Sequence, residues 1–297
     1  MANLKEVRTR IESVNSTMQI TSAMKMVSAS KLRKFQNAIT ALRPYADNLN
    51  KLMHDVSSDM DTSAKSVFAE MRQSGKILVI PVTSNKGLCG VFNAIVIKET
   101  EKLIKEDFKQ QLEEGNVDVL CIGSKADEMM KARKYHVIGN ESNLLDNLTY
   151  DNVVPFAERL MNDFKERKYD RIIFVYNQFK NAGTQILVHE QFLPIAVENE
   201  NDDEKEMKTE EVDYIFQPNR EDILNELIPK SLKLQVYKII LDSFTSEQGA
   251  RMVSMTKATD NAMELLKELN ITYNKTRQSS ITNEIVEIVS GANALNG

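Results

Sequence analysis

The residues most able to do chemistry lie in the segment Gly87-Leu-Cys-Gly90, which follows an apolar run and precedes a stretch with helical spacing. Nucleotide-binding folds place a phosphate loop at this point of the chain, and a thiol at a helix N-terminus has a lowered pKa. The segment lacks the three spaced glycines of the dinucleotide fingerprint and the Gly-Lys-Ser/Thr end of a P-loop. We interpret it as a tight turn around a small buried thiol, Cys89, with thiol catalysis as the alternative.

The other reactive side chains predict no catalytic or metal site. The chain holds three His and two Cys, which are His54, His136, His189, Cys89 and Cys121. None of the spacings typical of a zinc site or of a Ser/His/Asp triad is present in the sequence. Both cysteines lie in apolar or Gly-flanked runs, which predicts a reducing compartment rather than a disulfide framework. We therefore expect no catalytic residue, no cofactor and no metal.

The elements that must position Cys89 alternate between strands and helices. Strands are predicted at 76–83, 117–123, 171–179 and 184–195, and helices at 93–107, 125–134 and 151–168. The last two strands are joined by the turn Lys180-Asn-Ala-Gly183. This alternation predicts an α/β domain whose sheet is parallel at first and has a hairpin at its edge.

The N-terminal segment carries a heptad pattern instead. From Leu4 to Met60, apolar residues follow one another at alternating steps of three and four, which is typical of a coiled coil. The polar positions of this seam are Thr21, Lys25 and Ser28. Three apolar residues lie beside them but off the seam, namely Met24, Met26 and Val27. We expect these side chains to face away from the partner helix and to contact another protein.

The C-terminal segment supplies the partner helix. One heptad frame contains Leu241, Met252, Met255, Ala262, Leu266, Leu269 and Tyr273. After the polar stretch 274–282, a second seam begins one residue out of frame, with Ile281, Ile285, Ile288, Ala292 and Leu295. A frame shift of this kind indicates that the pairing changes. The predicted fold is α/β plus a long coiled coil of antiparallel terminal helices, divided as 1–60, 75–215 and 220–297.

Charge is distributed unevenly, although the net charge is only −5. Residues 1–43 carry eight Lys or Arg against Glu6 and Glu12, which points to an acidic partner near the N-terminal helix. Residues 198–213 are strongly acidic and are predicted to form a surface loop. The N-terminus has neither a secretory h-region nor an Arg-rich transit sequence, and no apolar run is long enough to span a bilayer.

Four motifs in order resemble the γ subunit of F-type ATP synthases. They are Ile20 to Arg33 (ITSAMKMVSASKLR), Thr83 to Gly90 (TSNKGLCG), Ser246 to Met255 (SEQGARMVSM) and Tyr273 to Thr282 (YNKTRQSSIT). The resemblance implies a non-catalytic central shaft that turns inside a ring of α and β subunits. It also implies a foot that rests with the ε subunit on the c-ring. An acidic residue is usual after Ser84, where this chain has Asn85.

The resemblance also implies site residues. Contacts with α and β subunits would come from Met24, Lys25, Arg251, Arg277, Gln278 and Thr282. A hydrophobic bearing would be formed by Ile285, Ile288, Val289, Ala292 and Leu295. Tyr214 would belong to the foot. The expected location is the cytoplasmic face of the bacterial inner membrane, peripheral, with no nucleic acid and no directly bound nucleotide.

Two other classes of protein remain as alternatives. A coiled-coil scaffold or nucleic-acid-binding protein would use the basic residues of 1–43 as its contact surface. A dinucleotide enzyme would be built on residues 76–195. The first alternative has no aromatic platform or recognition motif in the sequence, and the second would have to retain a cofactor.

Overall fold

A computed structural model of the chain describes residues 4–58, 67–70, 72, 75–195 and 220–295. It contains two compact units, one of residues 1–30 and 251–297 and the other of residues 31–250. The two longest helices, α1 (Leu4–Ser58) and α6 (Arg220–Leu295), each contribute residues to both units. Long terminal helices with an α/β domain between them confirm the predicted fold class.

The unit of residues 31–250 is built on a five-stranded sheet. Its strands are β1 (Ile77–Pro81), β2 (Val117–Cys121), β3 (Val137–Asn140), β4 (Arg171–Asn181) and β5 (Thr184–Leu193). The strand order is β3-β2-β1-β4-β5. The first four strands in this order are parallel, and β5 is antiparallel to β4 at the edge. The parallel sheet with an edge hairpin is therefore confirmed.

Four helices accompany the sheet: α2 (Phe92–Glu106), α3 (Lys109–Glu113), α4 (Ser124–Ala132) and α5 (Tyr150–Lys165). Every residue of β1 and β2 is buried, as expected of parallel strands covered on both faces. One core cluster joins the strands to α2 and α4 and includes Ile77, Val79, Val96, Ile104, Val119 and Met130. Each such side chain contributes roughly 1.5–3 kcal/mol on burial.

Among the described α-helices and β-strands of this unit, β3 and α3 were not predicted. Strand β3 has four residues, and its side chains alternate between half-buried and exposed because it lies at the sheet edge. Helix α3 has five residues and buries none of them. Elements this short carry too few periodic positions to be recognised from one sequence.

Helices α1 and α6 pair antiparallel within this unit. The rings of Phe35 and Phe244 pack edge to face with centroids 4.8 Å apart. Further toward the C-terminus of α1, Leu49 and Leu234 form a cluster together with partly buried leucines at positions 42 and 227. The residue numbers rise on α1 as they fall on α6, which is the predicted antiparallel arrangement.

Among the described helices, none combines the length and the apolar character needed to cross a membrane. The division of the chain into segments 1–60, 75–215 and 220–297 stays a prediction.

Candidate functional site

The unit of residues 1–30 and 251–297 contains most of the predicted contact residues. A hydrogen bond between two threonines defines the register of α1 against α6 in this unit. Thr259 Oγ1 donates to Thr21 Oγ1 at 2.9 Å. The seam positions around this pair, except Lys25, are buried or half-buried on both helices. The buried apolar ones are Val7, Met255, Ala262 and Leu269. Apart from the turn at Lys25, the heptad pattern therefore identified the inner face of this helix pair correctly.

The same register explains where the pairing ends. When Thr21 lies opposite Thr259 in an antiparallel pair, the first residue of α1, Leu4, comes opposite Thr276. Helix α6 nevertheless continues to Leu295. All residues from 277 to 293 are exposed. The predicted change of pairing thus coincides with the N-terminal end of α1.

The structure differs from the heptad prediction at one turn of α1. Lys25 was assigned to the seam and Met24 to the outer face, but Lys25 is exposed and Met24 is half-buried. An α-helix repeats every 3.6 residues, so either neighbour can take the inner position at a given turn. Burying the thioether of Met24 avoids the cost of desolvating an ammonium group.

An exposed apolar patch lies on α1 beside this turn. Met26 is 64% exposed and Val27 57%, which agrees with the prediction that they face away from the partner helix. Ile20, seven residues before Val27 and so on the same side of the helix, is 60% exposed. The sequence interpretation missed Ile20, although it too is an apolar residue off the seam.

Arg251 differs from the other predicted contact residues because it is buried, with 8% of its surface exposed. In the register set by Thr21 and Thr259 it lies opposite Ala29, five residues from Met24 along α1. Five residues correspond to roughly 7–8 Å along a helix axis. Arg251 therefore lies within about two helical turns of Met24 and Lys25 along the axis of the helix pair.

The three polar contact residues near the end of α6 are all exposed. Gln278 and Thr282 are four residues apart and lie on one side of the helix, with Arg277 adjacent. The hydroxyl of Thr282 donates to the carbonyl oxygen of Gln278 at 2.9 Å. The guanidinium and the side-chain amide are thus presented to solvent together.

The predicted bearing residues form an uncovered apolar stripe, which we call the apical stripe. It consists of Ile281, Ile285, Val286, Ile288, Val289 and Ala292. Exposure within it reaches 67% at Ile288. The side chain of Leu295 and the whole of Tyr214 lie outside the described residues, as does the acidic segment 198–213. A stripe of this kind on a helix end indicates an interaction surface.

Helix α4 follows the carboxyl end of β2, but its N-terminus is not open to bind a phosphate group. The first N–H groups of α4 are already bonded within the protein. Ser124 N donates to Asn85 Oδ1 at 3.2 Å, Lys125 N to the carbonyl of Ser84 at 3.2 Å, and Ala126 N to Thr83 Oγ1 at 2.9 Å. Phosphate sites in nucleotide folds depend on such N–H groups being available.

The crevice used by nucleotides in doubly wound folds is also occupied. Ligands bind where the strand order reverses, here between the carboxyl ends of β1 and β4. Helix α6 lies there, because Ser243 Oγ donates to the carbonyl oxygen of Val82 at 3.4 Å. Ala250 packs with Cys89 and Phe92 in the same region. The position at which a dinucleotide enzyme would bind its cofactor is therefore in contact with α6.

Cys89 has the surroundings of a packed thiol. It is buried, and its Sγ lies 3.3 Å from Asn93 Nδ2 and 3.7 Å from Ser84 Oγ. Two histidines are engaged elsewhere: His136 Nδ1 lies 2.7 Å from Asp118 Oδ1, and His189 Nδ1 lies 3.9 Å from Glu99 Oε1. Neither of these two imidazoles is thus placed to serve as a base for this thiol.

The surroundings of Cys121 and of the acidic residues also give no sign of a reactive site in the described parts of the chain. Burial, together with the nearby carboxylate of Asp127, raises the pKa of the Cys121 thiol to about 12. In the described parts of the chain, no group of three or more His, Cys, Asp or Glu is arranged to hold a metal ion.

Comparison with known proteins decides between these functional interpretations. A family model described as ATP synthase matches residues 3–295. The ATP synthase gamma chain of Christiangramia forsetii is 52% identical over 297 residues, and that of Flavobacterium psychrophilum is 53% identical over 297 residues. Each alignment covers 100% of both chains. The chain belongs to the family of ATP synthase gamma chains.

Solved structures show the same fold as this gamma-chain family member. The rotor of the Euglena gracilis mitochondrial ATP synthase matches with a TM-score of 0.62 at 21% identity, covering 94% of this chain and 98% of that one. A chain from the central stalk and c-ring of the Tetrahymena thermophila mitochondrial ATP synthase matches with a TM-score of 0.58 at 23% identity, covering 80% and 99%.

Proposed function

We propose that this gamma-chain family member is the central rotor stalk of a proton-translocating ATP synthase. In this role it couples rotation of the c-ring to the conformational cycle of the β-subunit catalytic sites. The observation that carries the proposal is the apical stripe on the part of α6 that extends beyond α1. The chain itself catalyses no covalent step, and it transmits free energy as mechanical work.

The residues of the helix pair that we assign to partner subunits make two kinds of contact. The apical stripe provides non-directional apolar contacts, which allow a helix to turn in a hydrophobic sleeve without a preferred angle. Lys25 and Arg251, with Met24 between the helices, would meet an acidic loop of the β subunit. Arg277, Gln278 and Thr282 would meet a second β-subunit loop through directional hydrogen bonds, which define an angle.

The α/β domain would form the foot of the rotor. We propose that it rests with the ε subunit on the c-ring, with Tyr214 on that side. The chain would then be peripheral to the membrane, on the cytoplasmic face of the bacterial inner membrane. Its crevice is filled by α6, which supports a mechanical rather than a nucleotide-binding role for this domain.

The energetics of the rotary role suit a paired-helix stalk. One elementary charge that crosses a membrane gains about 2.3 kcal/mol per 100 mV, so several protons must be collected for each ATP. A stalk that bent under this load would dissipate the stored work. The buried seam of α1 and α6 resists bending, since each buried side chain adds roughly 1.5–3 kcal/mol.

The proposal is tested by reconstituting the chain with the α and β subunits and the membrane sector in vesicles. We expect the subunits to co-purify as one complex whose ATP hydrolysis drives proton pumping. Because Met24 is only half-buried, Met24→Lys can extend its ammonium to the surface, where it places a second positive charge beside Lys25 at the proposed β contact. It should leave assembly intact and lower the number of protons pumped per ATP hydrolysed.

The matched control is Gln36→Lys, which adds the same charge at an exposed position on α1 in the other unit. It should pump as wild type. Equal pumping by Met24→Lys would refute the assigned contact. Failure of α and β to co-purify, or displacement of the chain from them by DNA, would favour the nucleic-acid-binding or scaffold alternative.

A further inference from the structure

One segment of α6 is enclosed on every side within the unit of residues 31–250. All twelve residues from 239 to 250 are buried. An α-helix completes a turn every 3.6 residues, so twelve consecutive buried residues cover its circumference more than three times over. A helix lying on a surface would instead expose residues at each turn. We call this enclosed segment and its surroundings the socket.

Four different elements surround the socket. Phe35 of α1 packs on Phe244, and Val82, the residue after β1, accepts a hydrogen bond from Ser243. The start of α2 packs against Ala250. The fourth element is the β4–β5 turn, which approaches so closely that a Cβ added to Gly249 would lie 3.0 Å from the carbonyl oxygen of Ala182.

The socket is polar as well as buried. Half of its residues are polar or charged, namely Asp242, Ser243, Thr245, Ser246, Glu247 and Gln248. Apolar packing alone is non-directional and resists rotation of a helix about its axis only weakly. The hydrogen bond from Ser243 to the carbonyl oxygen of Val82 has a preferred geometry, so it favours one angle of the helix about its axis. The contact at Gly249 adds a steric stop, because the turn sits where any side chain would project.

We propose that the socket is the joint through which torque passes between the α/β domain and α6. The inference rests on the proposed rotor function and adds the place where the two parts of the rotor are locked together. The directional hydrogen bond from Ser243 and the steric stop between Gly249 and Ala182 are the positioning contacts. The joint stays closed throughout the rotary cycle.

The first test is Gly249→Leu in the reconstituted membrane complex. The new side chain must displace the β4–β5 turn, so the domain should slip relative to α6 under load. We expect the ratio of protons pumped to ATP hydrolysed to fall by roughly fivefold or more, with hydrolysis continuing. The control is Gly183→Leu in the same turn, where an added Cβ meets only Asn181 Oδ1 at 3.7 Å. It should pump as wild type.

The second test keeps the inference open to refutation if Gly249→Leu does not assemble. Ser243→Ala removes the hydrogen bond to the carbonyl oxygen of Val82 without adding a bulkier side chain, and it should also lower the ratio of protons pumped to ATP hydrolysed. The control is Thr245→Val, because the hydroxyl of Thr245 donates within α6, to the carbonyl oxygen of Leu241. A pumping ratio of Ser243→Ala equal to that of the wild type would overturn the inference, as would unchanged coupling in Gly249→Leu.

These results separate the socket from the rotor function itself. If Gly249→Leu pumps normally while Met24→Lys does not, the chain is a rotor but torque passes elsewhere. If the wild-type chain does not assemble with α and β at all, the rotor function fails and the socket inference fails with it.

Discussion

At the scale of single residues, the α/β domain contains a buried carboxylate that interacts with three polar side chains. Asp118 accepts from Tyr169 OH at 2.9 Å and lies 3.0 Å from Lys76 Nζ and 2.7 Å from His136 Nδ1. Burial alone would raise the pKa of Asp118, but the hydrogen bonds from these partners outweigh it and hold the pKa below its usual value. The folded state therefore favours the ionised carboxylate.

This arrangement makes part of the stability depend on pH. Because the folded-state pKa of Asp118 lies below the unfolded one, its contribution is present above the unfolded pKa and is lost as pH falls through the folded pKa. We expect Asp118→Asn to lower the free energy of unfolding by about 1–3 kcal/mol at pH 7 and by less in acid.

Urea-induced unfolding of the purified chain at pH 7 and near pH 3.5 measures this difference. Asp107→Asn, which changes an exposed carboxylate at the end of α2, serves as the control and should have little effect at either pH. A destabilisation of Asp118→Asn that is the same at both pH values would show that lost packing, not charge, is responsible.

At the scale of elements, the pairing of α1 and α6 includes a polar contact inside a mainly apolar seam. Thr259 Oγ1 lies 2.9 Å from Thr21 Oγ1 and 2.8 Å from the carbonyl oxygen of Met255. A polar pair at a seam position is stabilising only when the two helices are in the correct register, so it can specify that register.

A double-mutant cycle measures this contact. Thr21→Val and Thr259→Val each remove the same cross-helix hydrogen bond, so their destabilisations should not add. We expect an interaction free energy of about 0.5–1.5 kcal/mol from urea-induced unfolding of the wild type, the two single variants and the double variant.

Thr9→Val provides the control for the cycle. Thr9 is exposed on α1 and its hydroxyl donates within its own helix, to the carbonyl of Lys5 at 3.1 Å. Its effect should add to that of Thr259→Val. Additive behaviour of the Thr21 and Thr259 changes would mean that the threonine contact does not couple the helices.

At the scale of the whole molecule, one end of the chain lacks the contacts that stabilise the rest. Residues 277–293 of α6 are all exposed, although they include the apical stripe. A helical segment without tertiary packing has marginal stability in water and opens easily. This end is therefore expected to depend on partner subunits for its stability.

Limited proteolysis can test this dependence. In the purified chain, trypsin should cut after Arg277 at an early stage, because the exposed helix end opens locally. In the complex with α and β subunits the same bond should be protected, since the apical stripe is then covered. An equal mass of an unrelated protein in place of α and β should give no protection. Cleavage at equal rates in the chain and in the complex would contradict the proposed bearing.

Much of this architecture follows from local patterns in the sequence. The heptads of α1 and α6, the buried strands and the edge hairpin all depend on the spacing of apolar residues within one segment, which a single sequence displays. The uncovered residues Met26, Val27 and Ile285 could be found in the same way, as apolar positions off the paired seam. Whether Met24 or Lys25 turns inward could not, because that choice depends on the facing helix.

The terminal seams, the inserted α/β domain and the apolar end of α6 were thus determined by the order of residues alone, because helix and strand periods are local properties. Only the tertiary structure decided that α6 fills the crevice at β1 and β4, and that polar residues from Asp242 to Gln248 are enclosed. A polar helical stretch looks the same in sequence whether it faces water or a socket. The difference lies in the elements that surround it, and these come from distant parts of the chain.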